Sequence, residues 1–167
     1  LVEGLPNGLP GPGDRGLDRT PTWGRTYWGG ALFYLLADVE LRKRSGGRLG
    51  LEHALRGLLD AGLTAATRAA LEDAFDAADR ATGLPVLREL HEAMGTKPHP
   101  VDLRALLREL GVEVTRARVT FDDAAPLARV RRAITGGTSA PRRPWPRAAR
   151  ARAAARPRGA RRARPGR

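Results

Sequence analysis

The sequence predicts a mostly α fold: an irregular bundle of about six helices carrying one small β-hairpin, preceded by a Pro/Gly-rich loop segment and followed by a basic tail. Three observations lead there. Apolar residues recur at helical spacing in glycine-bounded blocks from Thr26 to Leu110. The period switches to two over 112–121 and then returns to helical. The charge, finally, is unevenly placed. The net +12 includes 11 Arg and no acid in 136–167, which leaves 19 basic and 18 acidic residues in 1–135. The body is near neutral, and the basicity belongs to the tail.

Residues 1–22 contain four prolines, in Pro-Asn-Gly, Pro-Gly-Pro-Gly-Asp and Leu-Asp-Arg-Thr-Pro contexts. Proline withholds a backbone donor and glycine supplies turns, so this is loop chemistry. So few apolar residues require that it lie on something larger or stay disordered. The body, 23–135, is entered through Thr20-Pro21-Thr22-Trp23-Gly24-Arg25-Thr26-Tyr27-Trp28-Gly29-Gly30, which straddles its start. A first helix is expected from about Thr26 to Arg44, apolar from Ala31 to Ala37 and therefore buried on most of its circumference. Its Arg42-Lys43-Arg44 end suits the negative pole of the helix dipole, and Gly46-Gly47 stops it.

A second helix is predicted over 50–61, with Leu51, Ala54, Leu55, Leu58 and Leu59 apolar and Gly62 behind it. Thr67 is read as the cap of a third, which carries Leu71, Phe75 and Ala78 and ends near Gly83. Pro85 suits the start of a fourth helix through Met94. After Lys97-Pro98-His99-Pro100, Asp102 opens a fifth from Leu103 to Leu110, closed by Gly111. Val112, Val114, Val119 and Phe121 flank Thr115-Arg116-Ala117-Arg118 as a hairpin. Asp122 or Asp123 is expected to cap a last helix with Leu127, Val130 and Ile134 on one face. Beyond Gly136 the chain is almost all Arg, Ala, Pro and Gly, without amphipathic period, so disorder is expected. Out-of-frame GC-rich codons give the same mixture.

Several chemistries are excluded or disfavoured. With no cysteine, disulfides and thiolate metal sites cannot form. The apolar run at 28–37 is too short to cross a bilayer. His53, His91 and His99 stand far apart without an H-E-x-x-H pattern, so no metal site is expected; His53 and His91 read as solvated helix residues. Glu72, Asp73, Asp76 and Asp79 read as the wet face of a helix, and Asp38 with Arg42 as a structural i, i+4 ion pair. The tail has Trp145 as its sole aromatic and no lysine, which argues against a nucleic-acid module. What remains is a stripe of Tyr27, Gly30, Ala31, Tyr34 and Asp38 at helical spacing, with Tyr27 above a bare glycine. A phenol there is placed to meet a ligand.

The string Thr20–Leu32, with Ala37-Asp38-Val39-Glu40-Leu41-Arg42 and Leu51-Glu52-His53-Ala54-Leu55-Arg56, resembles the C-terminal half of the peptidase domain in glycyl-aminopeptidase-like zinc metallopeptidases. The similarity continues through Asp79-Arg80-Ala81-Thr82-Gly83 and Phe121–Leu127 to about Thr135 and omits the tail. The resemblance implies a thermolysin-like peptidase whose zinc is held by H-E-x-x-H and a downstream glutamate, all expected upstream of Leu1. It implies that Tyr27, in a Y-x-x-G pattern with Gly30, donates its hydroxyl to the oxyanion of a peptide substrate, with Gly29 and Gly30 beside that substrate. This chain alone is then expected to hold no zinc and to be inactive. The alternative reading is a small helical interaction module whose basic tail contacts nucleic acid or acidic partners; it requires no upstream motif.

Overall fold

The structure, a computed structural model, describes residues 3–115 and 118–136. It contains α1 (Gly30–Arg44), α2 (Leu51–Asp60), α3 (Leu71–Thr82), α4 (Val86–Met94), α5 (Leu103–Glu109), β1 (Val112–Val114), β2 (Val119–Phe121) and α6 (Ala128–Thr135). A 3-10 turn at Leu5–Gly8 and a π-helical turn at Gly24–Gly29 precede α1. The mostly helical class with one antiparallel hairpin is as expected. The tail, and the expectation of disorder placed on it, lies outside the described residues.

Helix α1 is the axle. One of its sides contributes Phe33, Ala37 and Leu41 to a core shared with Ala54, Phe75, Ala78, Val86, Leu87 and Met94. Its other side gives Leu32 to a second cluster with Leu5 and Leu103, which Trp28 and Leu9 flank. Two cores on opposite sides explain why the segment is apolar almost all round, where a surface helix would carry a single stripe. The hairpin pairs Val112 with Phe121, Glu113 with Thr120 and Val114 with Val119.

Residues 3–22 are neither a separate element nor loose. Leu5 is fully buried, and the Leu17 and Asp18 amides donate to the carbonyls of Met94 and Gly95, each at 2.8 Å. Backbone hydrogen bonds and one leucine thus seat a segment that composition marks only as loop.

Several helix starts differ from the sequence reading. The first helical turn begins before Thr26, at Trp23, because Thr22 caps it: its Oγ1 accepts from the Arg25 amide at 3.3 Å and its carbonyl from Thr26 at 2.9 Å. Thr67 does not cap α3. Its hydroxyl closes a turn by donating to the Gly62 carbonyl at 3.0 Å, and Ala70 precedes the helix. Asp122 and Asp123 do not cap α6 either; Asp122 accepts from Ala124 at 2.8 Å, and Asp123 pairs with Arg131 and Arg132. On α2, Leu55 and Leu59 are exposed, and the contact with α3 runs instead through Ala54 and Gly57. Gly57 lets Ala81 approach closely, and Leu51 and Leu58 of α2 still pack against the core while Leu55 and Leu59 face out. Asp79 leaves the wet face of α3. It is buried, and its two oxygens accept the Leu87 and Arg88 amides at 3.0 Å each, so it caps α4 from the neighbouring helix.

Candidate functional site

Pro21 and Thr22 end the N-terminal segment and start the helix, and the chain then makes a wide π turn over Gly24–Gly29. Such turns are uncommon and shift the register between the side chains on either side of them. Here Trp23 and Tyr27 stack, ring centroids 4.1 Å apart and planes tilted by 40°. Both stand in solvent, Trp23 at 73% and Tyr27 at 57% exposure. Tyr34 follows on the exposed side of α1 at 45%, edge-on to the buried Phe33 at 5.3 Å.

The two glycines after Tyr27 face different ways. Apart from the helix's own backbone and the two chain neighbours, nothing lies within 4 Å of where a Gly30 Cβ would sit, so that position is open. A Cβ on Gly29 would meet Leu17 Cδ2 at 2.7 Å, and Gly29 is buried against the N-terminal segment. Tyr27 is therefore exposed and Gly30 uncrowded, whereas Gly29 makes room for the Leu17 side chain. Asp38, placed on the same stripe by spacing, is buried with Arg42.

Two charged clusters frame the aromatic surface. At the far end of α1, Arg42 Nε donates to Asp38 Oδ1 and its Nη2 to Glu52 Oε2, both at 2.9 Å. Asp38 Oδ1 also accepts the Leu51 amide at 2.9 Å, tying the start of α2 to α1. The i, i+4 pair read from sequence is present, as part of a larger network. Near it, burial opposes ionisation of Glu40, but the hydrogen bond from Arg44 and the charge of Lys43 outweigh it, and the Glu40 pKa falls below the ordinary glutamate value. Arg44 is raised in turn by its hydrogen bonds to Glu40 and Glu89.

The second cluster joins the π turn to the N-terminal segment and has no signature in local spacing. Arg25, only 4% exposed, lies with Nε 2.7 Å from Asp14 Oδ2 and donates through Nη1 to the Gly8 carbonyl. The ion pair is close but out of line, so Asp14 Oδ2 and Arg25 Nε and Nη2 have no aligned hydrogen-bond partner. Asp14 Oδ1 accepts the Gly16 amide at 2.9 Å. Another link was equally silent in the sequence. His91 is not a solvated helix residue: Nε2 sits 2.7 Å from Asp18 Oδ2, and the ring lies 5.0 Å from that of Phe75. His53 Nδ1 accepts the Gly50 amide at 3.1 Å at the start of α2.

These side chains do not fit a zinc site. Among the described residues no three His, Cys, Asp or Glu groups converge, and His53 and His91 are turned to other partners. Clefts lie elsewhere: one of about 510 Å³ between α2 and α3 is lined by Leu55, Leu59 and Leu71, and one of about 710 Å³ lies between Leu9, Leu107 and Val112. Neither includes Tyr27, Gly29 or Gly30. Among the described residues no helix is long and apolar enough to cross a membrane. In comparisons with protein families, curated proteins and solved structures, nothing matches this chain.

Proposed function

We propose that this chain forms the helical C-terminal part of an aminopeptidase-like zinc peptidase and that Tyr27 is its contribution to catalysis. The observation that carries the reading is the outward pairing of Tyr27 with the open Gly30. A phenol that is more than half exposed, braced by the Trp23 ring at 4.1 Å, stands beside a position where a substrate backbone meets no side chain.

In peptide hydrolysis the carbonyl oxygen gains charge as the tetrahedral species forms. A phenol O–H held at that oxygen donates to it more strongly in the transition state than to the planar ground state. One such donor lowers the barrier by about 3–4 kcal/mol. The aromatic pair of Trp23 and Tyr27 is where the remainder of the peptidase domain and the peptide would meet this part of it. The zinc ligands belong to residues other than those present here, in an H-E-x-x-H of the same gene product. The test is hydrolysis of an aminoacyl anilide by the complete gene product and by its Tyr27→Phe variant. A zinc-dependent turnover that falls with the variant supports the reading; a gene product without that motif and without turnover removes it.

A further inference from the structure

We propose that Arg25 and Asp14 form a buried clamp that positions Tyr27. The significance for catalysis rests on the peptidase reading above; the geometry of the clamp does not. Arg25 sits inside the π turn, two residues before Tyr27, and its guanidinium points inward while Trp23 and Tyr27 point out. It is held by two groups of the N-terminal segment, the Asp14 carboxylate and the Gly8 carbonyl. The same segment presses on the turn at glycines. A Cβ at Gly24 would lie 2.7 Å from the Asn7 carbonyl oxygen, and Gly8 approaches the Trp28 backbone too closely for any side chain. A π turn is a rare, single-turn departure from the α-helix, and here the N-terminal segment packs directly against it. Here Arg25 ties the turn to residues 8 and 14, and Thr22 caps its start.

An ordinary ion pair would sit at the surface and contribute little. This one is buried, imperfectly aligned, and joins a loop to a wide turn, an arrangement that favours orientation over stability. Arg25 is thus a positioning residue, acting through the backbone of the turn on the direction of Tyr27.

The test uses the full chain, labelled for NMR, with Arg25→Met, Asp14→Asn and Arg25→Lys. The clamp predicts that Met and Asn each abolish the cross-relaxation between the Trp23 and Tyr27 rings. Amide exchange over 25–29 should quicken by at least about tenfold, with α3 and α4 still protected. Arg25→Lys, which keeps the charge toward Asp14, should restore most of the ring contact. Should Arg25→Met fail to fold, the near-isosteric Asp14→Asn decides. A folded Asp14→Asn chain with ring contact intact and exchange within about twofold of the parent overturns the proposal. These readouts need no peptidase activity, so the clamp and the peptidase reading fail separately.

Discussion

Two buried arginines sit at opposite ends of one helical rod, and their surroundings differ. Arg42 has aligned carboxylates at 2.9 Å on two nitrogens, one from its own helix and one from α2. Arg25 has a carboxylate at 2.7 Å that it meets out of line, supplied by a loop 11 residues upstream. The Arg42 end joins rigid helices and holds the fold. The Arg25 end joins a loop to a wide turn, and beside it the aromatic residues stand free. Stability and the candidate site therefore occupy different ends of the rod.

The largest separation of the two ends should come from deleting each guanidinium. Arg42→Ala leaves Asp38 buried beside a vacated position, and thermal or denaturant unfolding should show a loss of about 3–5 kcal/mol. Arg25→Met should cost less globally, because the N-terminal segment can lift and rehydrate Asp14; the loss is limited by that local opening. Equal losses at the two ends would erase the contrast. Of middle size is Asp79→Ala, which removes both acceptors from the start of α4 and should cost about 1–2 kcal/mol.

The smallest effect tests charge near the Arg42 end. Glu40 has its pKa lowered in the fold, so its ion pairs stabilise above the unfolded carboxylate range and are lost as pH falls through the depressed value. A Glu40→Gln chain should be less stable by about 0.5 kcal/mol at neutral pH. Parent and variant should converge as pH falls below that depressed value. A gap that widens on acidification would contradict this sign.

Much of the α1 architecture could be read from the residues because its causes are local. Ala31–Ala37 is apolar all round, Asp38 and Arg42 are four apart, and the glycines at 62, 83 and 111 adopt the positive φ that ends helices. The hairpin followed from Val112, Val114, Val119 and Phe121 alternating. What was hidden depends on partners distant in sequence. Asp79 looks like another acid on a wet face until α4 folds back onto it, and His91 looks solvated until Asp18 arrives from 73 residues away. The π turn has no compositional mark beyond its glycines. At the site, spacing put Tyr27, Gly30 and Asp38 on one stripe; Tyr27 is exposed and Gly30 uncrowded, but Asp38 is buried with Arg42. It could not tell that Gly29 turns inward against Leu17.

The account's central claim concerns the phenol at the open end of the rod. The most direct measurement is turnover of Tyr27→Phe beside Tyr34→Phe in the complete enzyme, each folded. Tyr27→Phe keeps the ring that stacks on Trp23 and removes only the donor. It should lower kcat and kcat/KM together by about 10²–10³ with KM nearly unmoved. Tyr34→Phe, also exposed but beyond Gly30, should leave the rate within about threefold. Near-normal turnover in a folded Tyr27→Phe enzyme, or equal losses in the two variants, would contradict the assignment of Tyr27.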